Sequence, residues 1–268
     1  MQNIPDTRMP DDEPEKAAPR PAPRPLPPAK RESTIGSLFW AIVLAFAIRV
    51  FAFEPFNIPS TSMVPNLLIG DFLFVSKYSY GYSAKSIGYG LFNFQGRVGG
   101  DALPQRGDVA VFKLPTNPNI DYIKRVIGMP GDKIQVRNGR LYINDKLIER
   151  RSLGDLNYSD RDHKQTFQRY EEVLPGGVKH IIVEESDNGP LDNTGVFMVP
   201  PGYYFMMGDN RDNSQDSRVS SVVGYVPLEN FVGRAERLFF SLDDDTAAWE
   251  IWKWPFAIRY DRLFSTIK

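Results

Sequence analysis

From Ser33 to Phe53 the only charged residue is Arg49, and this stretch constrains the chain more than any other. About twenty mostly apolar residues are needed to cross the hydrocarbon core as a helix, so a transmembrane helix is predicted over 33–53. Arg49 lies close enough to its distal end to snorkel into the headgroups. Two other readings stay open on this segment alone. It is only just long enough, which leaves a buried core helix, and Ala45-Phe46-Ala47 has the small-x-small form of a signal-peptide cleavage site, although the preceding leader is longer than a normal n-region.

That leader, residues 1–32, is dense in proline and charge, as in Pro19-Arg20-Pro21-Ala22-Pro23-Arg24-Pro25, and reads as a disordered tail. Lys30 and Arg31 flank the span on its N-terminal side, whereas the next lysine on the far side is Lys77. The excess of basic residues marks the cytoplasmic side, so the tail is expected in the cytoplasm and everything after Glu54 outside it.

After the span the sequence turns to short alternating runs closed by turn residues, the pattern of β-strands. Strands are predicted at Asp71 to Ser76, Asp108 to Phe112, Ile120 to Ile127, Phe197 to Met207 and Phe231 to Leu242. Lys133 to Val136 and Leu141 to Asn144 flank Asn138-Gly139, the pair that favours a type I′ hairpin turn. Two stretches break the pattern. Ser76 to Gly100, rich in Gly, Tyr and Ser, reads as an extended surface loop, and Arg150 to Asn193 as a polar insertion or small subdomain. The C-terminal Trp249 to Phe256 mixes tryptophan with charge, which suits either a membrane interface or a covering edge over the core.

Composition narrows the chemistry. The 268 residues carry 32 basic and 33 acidic side chains mixed along the chain, for a net charge of −1, so no broad basic face is present for nucleic acid. With no cysteine, disulfides, thiol catalysis and cysteine zinc sites are excluded, and two histidines leave little for a zinc hydrolase. Those histidines, His163 and His180, fall in the polar stretch read as insertion, so a Ser-His-Asp triad has little to build on. Lysine is the remaining base for a serine nucleophile. Lys124 sits on a predicted strand with Tyr122 and Val126 on its face, and burial there disfavours the charged amine. Ser62 lies in Pro59-Ser60-Thr61-Ser62-Met63-Val64-Pro65, a loop stiffened by two prolines. Read singly, the lysine also fits a solvated sheet edge and the serine loop also fits a linker. The stretch Gly208 to Arg218 concentrates Asp, Asn, Ser and Arg; it lacks the glycine and closing glutamate of an EF-hand loop and reads as a polar network.

Four blocks in this order resemble bacterial type I signal peptidase, a membrane-anchored Ser-Lys protease family: residues 59–67, 106–112, 124–132 and 208–218, continued by Gly224-Tyr225-Val226-Pro227 and Val232-Gly233-Arg234-Ala235. The resemblance implies a mainly β fold: an antiparallel β-sheet catalytic domain (54–149 and 194–268) with a β-rich insertion (150–193), preceded by one transmembrane helix. It also implies Ser62 as nucleophile, Lys124 as general base and Ser60 as a hydroxyl of the oxyanion hole. Ser214 would orient the lysine, supported by Asp216 and Arg218. Phe56, Ile58, Leu67, Leu73, Val111 and Ile123 would line pockets for small residues at −1 and −3 of a signal peptide. No metal or cofactor is implied. The expected partners are preproteins and membrane lipid, with room for contact with the export machinery, and the expected place is the bacterial inner membrane, single-pass, with the catalytic domain on the outer, periplasmic side. Asn66 and Thr61 depart from the family's usual residues, which touches fine loop geometry. A specialised processing protease for a pilin or conjugation substrate, or a non-catalytic membrane-anchored scaffold, stays open as an alternative.

Overall fold

The computed structural model describes residues 34–87, 94–100, 102–160, 163–243, 246 and 249–267; the expected disordered tail over 1–32 lies outside them. Helix α1, Thr34–Phe51, occupies most of the predicted span, and almost none of it is buried by protein. Its 18 residues give a length of about 27 Å, close to the thickness of a bilayer's hydrocarbon core. The helix stops two residues short of the expected end because Phe53 already belongs to the first strand.

The strands that follow are β1 Phe53–Asn57, β2 Asp71–Ser76, β3 Val109–Leu114, β4 Asn117–Gly128, β5 Lys133–Arg137, β6 Arg140–Ile143 and β7 Lys146–Leu147. Then come β8 Glu149–Asp160, β9 His163–Leu174, β10 Val178–Glu184, β11 Phe197–Met198, β12 Tyr203–Met207, β13 Val226–Pro227 and β14 Phe231–Ser241. Among the described residues they form three sheets, with strand orders β1-β2-β14-β3-β4-β12-β13, β10-β9-β8 and β11-β5-β6-β7. All the ladders between these strands are antiparallel. The β5–β6 hairpin turns at Asn138 and Gly139, whose φ values of 47° and 68° are the left-handed pair that a type I′ turn requires.

Alternating side chains of the large sheet bury two apolar clusters. One gathers Ile58, Met63, Leu67, Leu73, Val75, Val109, Val111, Val232, Ala235 and Leu238. The other gathers Tyr80, Ala110, Phe112, Val126, Tyr204, Met206 and Phe231 among its members.

Three expectations need correction. The run Phe197 to Met207 is two strands, because Pro200 and Pro201 cannot donate to a ladder and Gly202 turns the chain with φ +78°. Ser76 to Gly100 is not simply an exposed loop: it holds a turn of 3-10 helix over Lys77–Tyr80 and a short helix, α2 Ala84–Ile87, although residues 88–93 lie outside the description. Lys77 is buried there against Glu54 at 2.8 Å, and the buried Tyr80 donates to Asp108 at 2.9 Å. Finally, the polar stretch that holds His180, read as an irregular insertion, is regular there: Glu149–Asp160, His163–Leu174 and Val178–Glu184 form the β8-β9-β10 sheet, with His180 in β10. Phe167 and Val183 of this sheet pack with Val64, just past the Ser62 loop.

Candidate active site

Lys124 is set by strand alternation. On β4 it lies opposite Ala110 of β3, while its neighbour Arg125 lies opposite Val109 on β3 and Met207 on β12. Successive side chains leave a strand on opposite faces, so one basic group goes to each side. The Lys124 side chain is 3 % exposed, and its Nζ stands 5.3 Å from the centre of the Tyr122 ring. Burial pushes the amine down to about 8, against the opposing pull of the Asp216 and Asp209 carboxylates.

Ser62 reaches the same point from the other side of the cluster. β1 ends at Asn57, Ile58 exchanges backbone bonds with Asp71 and Gly70, and a single 3-10 turn over Thr61–Met63 follows. The Lys124 Nζ is 2.7 Å from Ser62 Oγ and donates also to the Ile123 carbonyl at 2.9 Å. Ser60 Oγ is 3.2 Å from Ser62 Oγ, on the exposed side of the loop. The first N–H groups of any helical turn lack an acceptor within it, which suits the Ser62 N–H to an incoming oxyanion.

The loop from Gly208 to Arg218 holds this arrangement from behind. Asn210 donates its backbone N–H to the Ser62 carbonyl at 3.1 Å and its side-chain amide to the Thr61 carbonyl at 3.3 Å. Asn213 Nδ2 donates to Thr61 Oγ1 at 2.8 Å. A Cβ on Gly208 would come within 2.2 Å of Ser214 Oγ and 2.5 Å of the Ser62 carbonyl oxygen, so only glycine lets the two loops approach this closely. Asp216 accepts two bonds of 2.9 Å from Arg218 and one of 3.0 Å from the Gly208 N–H. Burial raises the Asp216 carboxyl, but Arg218 and these bonds, with Ser214 beside them, outweigh it and hold the group below its ordinary value. Ser214 is thus brought to the Gly208 and Asp216 side of the site, and the amine's hydrogen bonds run to Ser62 and Ile123.

The six expected pocket residues converge. Ile58, Leu67, Leu73 and Val111 are buried in one cluster, and Phe56 and Ile123 pack on it while keeping some exposure.

Several supporting residues were not singled out from the sequence. Asp209 takes two 2.7 Å bonds from Arg125 and a third of 2.7 Å from Asn66, whose amide also reaches the Ile181 carbonyl at 2.7 Å. Asn66, noticed only as a departure from the family pattern, therefore stitches the serine loop to β10. His180 lies buried with Nε2 3.3 Å from the Glu172 carboxylate, which also pairs with Arg211 at 2.5 Å. Burial holds its pKa below the usual value, so it stays neutral near pH 7, and its partner is this carboxylate rather than the serine.

Known proteins share this chain's pattern over most of its length. The sequence profile of the family described as Signal peptidase, peptidase S26, matches residues 31–240. Signal peptidase I of Rickettsia typhi is 40% identical over 248 residues, covering 86% of this chain and 92% of that one. Signal peptidase I of Rickettsia conorii is 39% identical over 249 residues, covering 87% and 91%. A solved signal peptidase I from Enterococcus faecalis V583 overlaps 49% of this chain and 95% of its own at 25% identity, with a TM-score of 0.28. With residues 31–240 matched by the family profile and 86% of its length by a relative at 40% identity, the chain belongs to the signal peptidase family, peptidase S26.

Proposed function

We propose that this chain is a membrane-anchored serine endopeptidase that removes signal peptides from preproteins, with Ser62 as nucleophile and Lys124 as general base. The observation that carries the assignment is the 2.7 Å contact between a buried amine and a serine hydroxyl, with buried His180 engaged by Glu172 instead. Neutral Lys124 takes the Ser62 proton as Oγ attacks the carbonyl of the residue at −1, and the Ser62 N–H and the Ser60 hydroxyl face the developing oxyanion. The protonated amine then delivers its proton to the leaving amine. A water deprotonated by Lys124 attacks the acyl-enzyme and releases Ser62.

Substrate placement follows from open strand edges. β4 pairs with β12 only from Arg125 onward, which leaves the edge over Asn117 to Lys124 next to the amine. β1 is at the end of the large sheet, paired on one side with β2. An extended peptide adding along these edges would set small side chains against Phe56 and Ile123, which suits pockets at −1 and −3. We read 54–149 with 194–268 as the catalytic body and 150–193 as an insertion. The excess of Lys30 and Arg31 supports a cytoplasmic tail with the body on the outer face, in contact with lipid, crossing once through α1.

The test is to incubate the detergent-solubilised full chain with a preprotein carrying small residues at −1 and −3 and to map the products by mass spectrometry. One cut after the −1 residue is expected. An intact preprotein, or a cut that persists in purified Ser62→Ala protein, overturns the assignment.

A further inference from the structure

The end of α1 and the start of the large sheet enclose a second apolar space, away from the serine and lysine. The chain turns at Ala52, whose N–H donates to the Ile48 carbonyl at 2.8 Å and whose carbonyl accepts from the Lys77 N–H at 3.0 Å. β1 then presents alternate residues to opposite faces. Glu54 pairs with buried Lys77 and Phe56 packs on the substrate cluster, whereas Phe53 and Pro55 turn the other way. Phe53 meets the Phe74 ring at 6.2 Å and the Tyr78 ring at 5.5 Å, and Phe74 stacks on Phe239 at 4.2 Å. Phe53, Pro55, Phe74 and Tyr78, with Ala45, Ile48 and Arg49 of α1, wall a cleft of about 690 Å³, a size usual for small-molecule sites.

Its walls are left open to the surroundings. Tyr78 is 50% exposed and Ile48 47%. The charged groups in the lining are Arg49, Glu236 and Arg237. Glu236 is already satisfied by Ser76 at 2.6 Å and Arg234 at 2.9 Å, and Arg237 donates to the Phe264 carbonyl at 3.2 Å. The Arg49 guanidinium has no partner among the described residues. Arg49 is itself exposed, and a cation in the lining of an apolar cleft favours an anion that is itself attached to something apolar.

We propose that this cleft binds one anionic phospholipid, its phosphate held by Arg49 with Arg237 beside it and its acyl chain along Phe53, Pro55 and Phe74. The occupant is a membrane lipid because the cleft is continuous with the helix read as membrane-spanning: Ala45, Ile48 and Arg49 are its last turns. The two arginines, facing one already paired carboxylate, favour a headgroup with net negative charge. The inference rests on α1 being the membrane anchor and not on the assignment of the serine and lysine.

The test uses the full chain purified in detergent, stripped of lipid and then given dioleoylphosphatidylglycerol or dioleoylphosphatidylcholine at equal ratios. Native mass spectrometry counts the lipid retained, and preprotein cleavage is measured on the same samples. One phosphatidylglycerol per chain is expected, with weaker retention of phosphatidylcholine and no displacement by inorganic phosphate. Arg49→Gln should lower the affinity about fivefold or more, the factor for one basic residue at an anionic lipid surface. Ala45→Trp, which fills the cleft and keeps the charge, should abolish retention. Equal retention of the two lipids, or retention unchanged by both substitutions, overturns the site. Should Ala45→Trp fail to fold, Arg49→Gln decides alone. Lipid retention without cleavage would sink the peptidase assignment and leave this site standing.

Discussion

Arg125 and Asp209 meet through two hydrogen bonds of 2.7 Å, with 0% and 1% of their side chains exposed, one residue along the strand from Lys124. The pair joins β4 to the loop that supports Ser62. Burial raises the Asp209 carboxyl, and the Arg125 guanidinium more than offsets this, holding it below its ordinary value. Breaking such a pair strands a buried charge, so Asp209→Ala should lower unfolding stability by about 3–5 kcal/mol. Replacing both partners with apolar residues, Arg125→Met with Asp209→Leu, should restore much of the loss. Urea titration of the solubilised full chain checks both; a single substitution costing no more than a surface change would show that the pair is hydrated.

Ser62→Ala and Lys124→Ala should each reduce preprotein processing by about 10³ or more, with little further loss in the double variant, because the two groups act in one step. Circular dichroism should stay unchanged for Ser62→Ala, a small substitution on a short turn. Losses that multiply in the double variant would argue that the 2.7 Å contact is not the working geometry.

How much of this was legible in the sequence depended on how local the signal was. The Asn138-Gly139 hairpin and the Asp71–Ser76 strand follow from neighbouring residues and lie where expected. The β9-β10 pair escaped notice because Glu172, His180 and Glu184 occupy inward positions where apolar residues would have marked the strand period. The charges of Glu172 and Glu184 are met by Arg211 and Arg150, which no local pattern reveals. Ser62 and Lys124 are proposed from their blocks, yet the lysine's burial depends on β3 and the Gly208 loop. Asn66 pairs with Asp209 across 143 positions of sequence, and only folding brings them together.

Ser60 stands 3.2 Å from Ser62 Oγ on the exposed side of the loop, where an oxyanion would form. A donor that acts mainly on developing negative charge should alter turnover more than binding. Ser60→Ala is therefore expected to lower kcat by about 10² to 10³ with KM nearly unchanged. Steady-state kinetics on a peptide spanning a cleavage site would measure this, and a change confined to KM would place Ser60 in a substrate pocket instead.

The pH dependence should report the buried lysine directly. Only the neutral amine serves as base, and burial sets Lys124 at about 8. At pH 7 roughly one amine in eleven is then neutral, against about four in ten thousand for a free lysine near 10.4. The rate at saturating substrate should climb tenfold per pH unit below this value and level off above it. The Asp216 carboxylate favours the ammonium and so pulls the value upward. Asp216→Asn removes that attraction and leaves Arg218 uncompensated, so both effects shift the rise to lower pH. Ser214→Ala, which loosens the packing between Gly208 and Asp216, should slow turnover without unfolding the chain. Stopped-flow or steady-state rates between about pH 6 and pH 11 would settle the matter. A rise centred near the free-lysine value, or one that moves upward in Asp216→Asn, would show that Lys124 does not work as the desolvated base of this site.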